Sequence, residues 1–250
     1  PLTAADMIEA RILPGWRSPD GRRHTAGLEL RLAPGWKTYW RAPGDAGIPP
    51  LFRWDGSANT HAIDVHFPTP EVDVQQGMRT LVYSDLVILP LELRPVAPEA
   101  EIRVKGDISL GVCRDICVPV DLAVEARLRP GTDASATRIR SAMLDLPESG
   151  AEAGVGAVTC RFGPEKWGGL VLAAEIEAPA MGAGELAVIE LPDALAWVGE
   201  TTSERRGNTL HAETVVFPHA GGVLGVARDQ VTITLIGAGR SVEITGCRGG

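Results

Sequence analysis

Apolar and polar residues alternate along most of this chain. In GLELRLA, Gly27 to Ala33, the residues Leu28, Leu30 and Leu32 fall on one parity. Ile63, Val65 and Phe67 do the same in AIDVHF, and VTITLI from Val231 repeats the pattern. Side chains of a strand point to alternate faces, so these period-two segments predict strands with one buried face. The chain's 29 glycines and 19 prolines are spread throughout, as expected for short strands joined by turns. One stretch breaks the rhythm. DASATRIRSAMLDLPESG carries Ile139, Met143 and Leu146, starts at Asp/Ser capping candidates and stops at Pro147, which predicts a helix. The pattern reads as all-β: two β-sandwich domains, residues 1–130 and 152–250, joined by a short, partly helical linker over 131–151.

Parity is most informative around GVCRDICVP, residues 111–119. Before it, Ile102, Val104, Ile108, Leu110 and Val112 are apolar and even-numbered, while Glu101, Arg103, Lys105, Asp107 and Ser109 are polar and odd. Cys113 shares the polar parity. After it, Val118, Val120, Leu122, Val124, Ala126 and Leu128 alternate with Pro119, Asp121, Glu125 and Arg127. Cys117 again falls with the polar set, so both sulfurs are expected to face away from the core. Arg114, Asp115 and Ile116 lie between them, and three-residue hairpin loops are common. Such a loop sets the cysteines opposite each other, about 4.5–5.5 Å apart at Cα, within disulfide reach. One continuous strand would hold them about 13 Å apart.

Three readings of the pair stand side by side. A structural clip over so short a loop removes only about 2 kcal/mol of unfolded-state entropy. Two thiolates suit Cu(I), with Met7, Met78 and His66 as further candidate ligands. Exposed disulfides tend to be the labile, exchanging ones, which favours a redox role. Pro119 lacks an N–H, so the strand ladder is interrupted beside Cys117, leaving room for a partner.

Composition narrows the function classes. Net charge is -8 with no basic stripe, which argues against nucleic acid and anionic membranes. No apolar run approaches the roughly 20 residues of a membrane helix; LVILPLEL from Leu86 is broken by Pro90. The opening PLTAADMIEA, without an initiator Met, reads as a mature or trimmed chain, with a removed signal peptide expected. Four cysteines, an even number, suit an oxidising compartment. Cys160 and Cys247, near the first and last strands of the second domain, are expected to form a structural disulfide. Trp16, Trp36, Trp40 and Trp54 offer a rival reading, a carbohydrate-binding sandwich. No HExxH motif is present, and hydrolase chemistry has no positive support.

Three stretches together carry a family resemblance: GWKTYWRAPGDAGIPPLFRW (35–54), FPTPEVDVQQGMRTLVYSDLVILPLEL (67–93) and GVCRDICVPVDLAVEARL (111–128). They resemble the periplasmic N-terminal domain of the DsbD/ScsB thiol:disulfide interchange (protein-disulfide reductase) family, and are most similar to its ScsB type. The resemblance implies two immunoglobulin-like domains and a periplasmic location. It implies electron transfer from a membrane-embedded thiol reductase to periplasmic thioredoxin-fold or disulfide-isomerase proteins, with no cofactor beyond the redox-active disulfide. Cys117 would form the mixed disulfide and Cys113 would resolve it. A cap loop from Glu71 to Tyr83 would shield the pair, with Met78, Leu81 and Tyr83 as cap side chains and Tyr39 close by. The ScsB type is also associated with copper tolerance. DsbD proper places five residues between its cysteines, whereas three stand here. With neither a membrane span nor a thioredoxin-type CxxC domain, the chain is expected to be a piece of a larger reductase or a free-standing relative.

Overall fold

Alternating segments become strands because a half-buried pleated surface rewards one apolar face. The computed structural model describes residues 3–44, 46–75, 77–192, 196–219 and 225–250. It separates into two units, Pro1–Leu146 and Pro147–Gly250. The first contains β1 (Ile8–Arg17), β2 (His24–Leu32), β3 (Lys37–Tyr39), β4 (Leu51–Arg53), β5 (Thr60–Val65), β6 (Glu71–Gln75), β7 (Met78–Ser84), β8 (Leu86–Pro95), β9 (Ile102–Cys113) and β10 (Cys117–Leu128), then helix α1 (Ala136–Met143). One sheet has the order β1-β2-β8-β5; the other runs β10-β9-β3-β7-β6, with β4 also paired to β9.

The longest ladder positions the cysteines. β9 and β10 pair antiparallel without a register shift, from Leu128 opposite Ile102 to Cys117 opposite Cys113. Ile102, Val104, Ile108, Leu110 and Val112 are all buried, as are Leu28, Leu30 and Leu32 of β2 and Leu89, Leu91 and Leu93 of β8. Each such side chain contributes about 1.5–3 kcal/mol of burial. The core therefore holds the even parity of β9 inward, and the odd parity faces out.

The expected linker is divided between the units. Residues 131–146 belong to the first and 147–151 to the second. Arg17 donates its backbone N–H to Gly131 and Asp133 donates to Gly15, at 2.9 and 2.7 Å. Helix α1 then lies on the outer face of the β1-β2-β8 sheet, where fully buried Ile139 packs against Leu13 and Ile88. Gly27 makes the approach possible: a Cβ there would lie 3.0 Å from Ile139 Cγ1. Glu29, only 2% exposed, accepts from Arg138 of the helix and from Arg11 of β1. The two capping candidates divide: Asp133 Oδ1 accepts the Ser135 N–H at 2.8 Å at the helix entrance. Ser135 makes no side-chain cap; its Oγ accepts the Gly15 N–H at 3.0 Å. The helix ends at Met143, before Pro147.

The second unit contains β11 (Glu148–Ser149), β12 (Val158–Pro164), β13 (Leu170–Glu177), β14 (Leu186–Glu190), β15 (Ala196–Val198), β16 (Thr202–Arg206), β17 (Thr209–Pro218), β18 (Thr232–Gly237), β19 (Arg240–Thr245) and β20 (Arg248–Gly249). Its sheets run β11-β19-β18-β14 and β15-β17-β13-β12-β20, with β16 also on β17. Strand β18 departs from simple alternation: Ile233, Thr234, Leu235 and Ile236 are all buried, so both of its faces are covered. A Cys160–Cys247 disulfide, 5.7 Å at Cα, bridges a sequence separation of 87. Closing a loop of that length constrains the unfolded chain by about 4–5 kcal/mol.

The packing of α1 predicts that Ile139→Ala destabilises the first unit by about 2–4 kcal/mol. Urea unfolding followed by tryptophan fluorescence should show this loss. An unchanged midpoint would contradict the docked helix.

Candidate redox site

The pair sits where the β9–β10 ladder ends. Arg114 donates its N–H to the Ile116 carbonyl at 3.1 Å, closing the three-residue turn. Cys113 and Cys117 are disulfide-bonded, with Cα atoms 4.1 Å apart. So close a separation is characteristic of an antiparallel pair that exchanges no backbone hydrogen bonds. The two sulfurs differ in access: Cys113 is half-buried and Cys117 is exposed. β10 is an edge strand of its sheet, and exposed Pro119 stands on it opposite Gly111. No ladder donor is available at that position.

Tyr39 lies against the disulfide. Its ring is buried, and its hydroxyl is 3.1 Å from each sulfur. Neither bonded sulfur carries a hydrogen, so the phenol O–H is the donor. Burial, and then the Asp73 carboxylate, raise the Tyr39 pKa. The phenol therefore keeps its proton throughout the neutral range.

The segment expected to be a cap loop is the β6–β7 hairpin. Its side chains divide by parity. Asp73, Gln75, Met78, Thr80 and Val82 join Lys37, Tyr39 and both cysteines around a cavity of about 190 Å³. Met78, 54% exposed, lies at its rim. Leu81 and Tyr83 point the other way and are buried, correcting their reading as cap side chains. Tyr83 instead donates its hydroxyl to the Pro68 carbonyl at 2.6 Å, and burial holds its pKa well above the ordinary value. Glu71 does not line the cavity; its Oε1 accepts from Ser84 at 2.6 Å. A loop reading overlooks this division, because only a strand enforces two-residue alternation.

Two contacts have no signature in the motifs. Lys37 Nζ lies 2.9 Å from Asp73 Oδ1, linking β3 to the hairpin beside the cysteines. Arg114 rests its guanidinium 4.9 Å from the Trp36 ring centroid, with its Cδ 3.4 Å from the place a Gly35 Cβ would occupy. The alternation of Lys37 and Tyr39 in KTY is the signal that could have placed Lys37 on the cysteine face.

The sugar reading loses its four tryptophans, and the copper reading loses two of its three further ligands. Trp36 and Trp40 are buried, and Arg140 covers the part-buried Trp16. Part-buried Trp54 stacks on Phe52. These four tryptophans form no exposed platform for a sugar. Of the suggested copper ligands outside the pair, Met7 is buried and His66 is exposed, and neither lines the cavity; only Met78 does.

Residues 9–128 match the family model described as thiol:disulfide interchange protein DsbD, N-terminal. This segment belongs to the DsbD N-terminal family. The N-terminal periplasmic domain of ScsB from Proteus mirabilis has the same fold at 22% identity and a TM-score of 0.70, with 97% of this chain and 92% of that one covered. The DsbD N-terminal domain of Neisseria meningitidis, in its reduced form, aligns at 15% identity and a TM-score of 0.33, covering 52% of this chain and 90% of that one. No curated protein matches the sequence. Thiol:disulfide exchange is thus the general chemistry of the DsbD-type domain, and its exposed Cys113–Cys117 bond is the group suited to it.

Two outcomes follow for this domain. Millimolar dithiothreitol should open Cys113–Cys117 while Cys160–Cys247, whose Cys160 is fully buried, stays closed; differential alkylation and mass mapping would read this. The reverse order would make the first pair structural. Tyr39→Phe should slow opening about fivefold, matching a lost hydrogen bond of roughly 1 kcal/mol. That ratio should stay constant between neutrality and about pH 9, since the phenol's ordinary pKa of about 10 is raised here. A ratio that changes across this range would contradict donation by the phenol.

Proposed function

We propose that the chain is a periplasmic protein-disulfide reductase module. It takes electrons from a membrane-embedded thiol reductase and passes them to thioredoxin-fold or disulfide-isomerase proteins. The unequal access of its two bonded sulfurs carries the reading. A donor thiolate attacks the exposed Cys117 sulfur; the Cys113–Cys117 bond breaks, and Cys113 leaves as a thiolate with the electron pair. The donor's second thiolate then attacks its own sulfur in the mixed disulfide and releases Cys117. Two electrons have moved, and the donor is left as a disulfide.

Delivery reverses these roles. The Cys117 thiolate attacks an acceptor disulfide, and Cys113 resolves the mixed disulfide by attacking Cys117. The electrons travel in sulfur–sulfur bonds, so the cycle needs no cofactor beyond the pair. The second disulfide supports an oxidising compartment. The β6–β7 hairpin supports selectivity, because Met78 and Gln75 line the cavity beside the pair, where a docked partner would meet them.

Cys113→Ala should leave Cys117 unable to be resolved, and it should trap the acceptor as a mixed disulfide on a non-reducing gel. Cys117→Ala should trap none. Trapping by Cys117→Ala alone would reverse the assigned roles; trapping by neither variant would sink the exchange reading.

A further inference from the structure

We infer that Lys37 is the electrostatic partner of the Cys113 sulfur, a positioning residue that stabilises its thiolate whenever the disulfide is open. The inference rests on the exchange reading above and assigns a role within that site. Lys37 and Cys113 are directly paired across β3 and β9. Directly opposed residues share a sheet face, with Cβ atoms about 4.5–5.5 Å apart, well within reach of a lysine side chain.

The charges facing Cys113 are few. Lys37 and Arg114 are the cations lining the cavity among the described residues, and Asp73 and Asp115 are the acids. Tyr39 adds a neutral donor. Arg114 is engaged by Asp115 at 3.2 Å and by the Trp36 face. Lys37 is engaged by Asp73, with both side chains largely shielded from solvent. While the disulfide is closed, the sulfurs are neutral and the ammonium has one anion to face. Attack on Cys117 creates a second, because Cys113 departs carrying the electron pair. The ammonium then stands between the Asp73 carboxylate and a new thiolate on its own cross-strand neighbour.

The consequence covers both halves of the cycle. A leaving thiol of lower pKa leaves faster, and a larger thiolate fraction resolves faster. Asp73 has the opposite influence. It withholds part of the lysine's charge from the sulfur and is itself a like charge near the thiolate. Removing the lysine and neutralising the aspartate must therefore move the Cys113 pKa in opposite directions. Mere loosening of the hairpin would not do so, because either substitution breaks the same ion pair.

The test uses the full chain. In a Cys117→Ala background, with Cys160–Cys247 intact, the rate of iodoacetamide alkylation against pH gives the Cys113 pKa. Lys37→Met should raise it by about one unit, as for loss of an opposite charge at close range. Asp73→Asn should lower it, and Lys37→Arg should keep it close to the parent value. With the cysteine pair intact and oxidised, Lys37→Met should open about threefold more slowly with dithiothreitol. An unmoved pKa in Lys37→Met, or a shift of the same sign in Lys37→Met and Asp73→Asn, overturns the assignment while leaving exchange at the pair standing. An oxidised parent pair inert to dithiothreitol defeats the exchange reading itself, and the role of Lys37 with it.

Discussion

The site depends on one constraint, the unbroken antiparallel register of β9 and β10. Twelve residue pairs, from Leu128 opposite Ile102 to Cys117 opposite Cys113, are locked together. The lock is set by burial. Ile102, Val104, Ile108, Leu110 and Val112 occupy the core, and a slip of one residue would exchange them for arginine, lysine and aspartate. The same constraint forces both cysteines outward and opposite one another. The disulfide is thus held at the surface by the packing of the opposite face of its own strands.

Around that bond the protein supplies control rather than strength. A bond closing a three-residue turn constrains little chain, about 2 kcal/mol, against about 4–5 kcal/mol for the loop closed by Cys160 and Cys247. What surrounds the smaller loop is chemistry. A protonated phenol touches both sulfurs, an ion pair stands beside Cys113, and a strand hairpin lines the adjoining cavity. The edge position of β10 leaves the Cys117 side open. The two sulfurs therefore differ in exposure, and Lys37 is paired across the strands with only one of them, Cys113.

The legible parts of the sequence were those governed by local alternation. Parity from residue 101 to 128 gave the hairpin, the pairing of the cysteines and their outward direction, because side-chain direction in a strand repeats every two residues. The same rule divides the cap segment correctly once Glu71–Tyr83 is taken as strands; taken as a loop, the segment loses the parity that sends Leu81 and Tyr83 into the core. Helix α1 was visible, yet its attachment was not. Its seat depends on the missing side chain of Gly27 and on buried Glu29, more than a hundred residues away in the chain. Lys37 and Asp73 lie on different strands, and nothing in their spacing announces an ion pair. Contacts made by the fold, rather than by the strand, were the ones hidden.

Unequal access of the two bonded sulfurs is the central claim, and the position of the first adduct tests it most directly. Oxidised protein is treated with reduced glutathione, quenched with acid after a short interval and mapped by mass spectrometry. Glutathione on Cys117, with Cys113 free and Cys160–Cys247 intact, is the predicted result. Glutathione predominantly on Cys113, or an opened Cys160–Cys247 bond beside an untouched first pair, would contradict it.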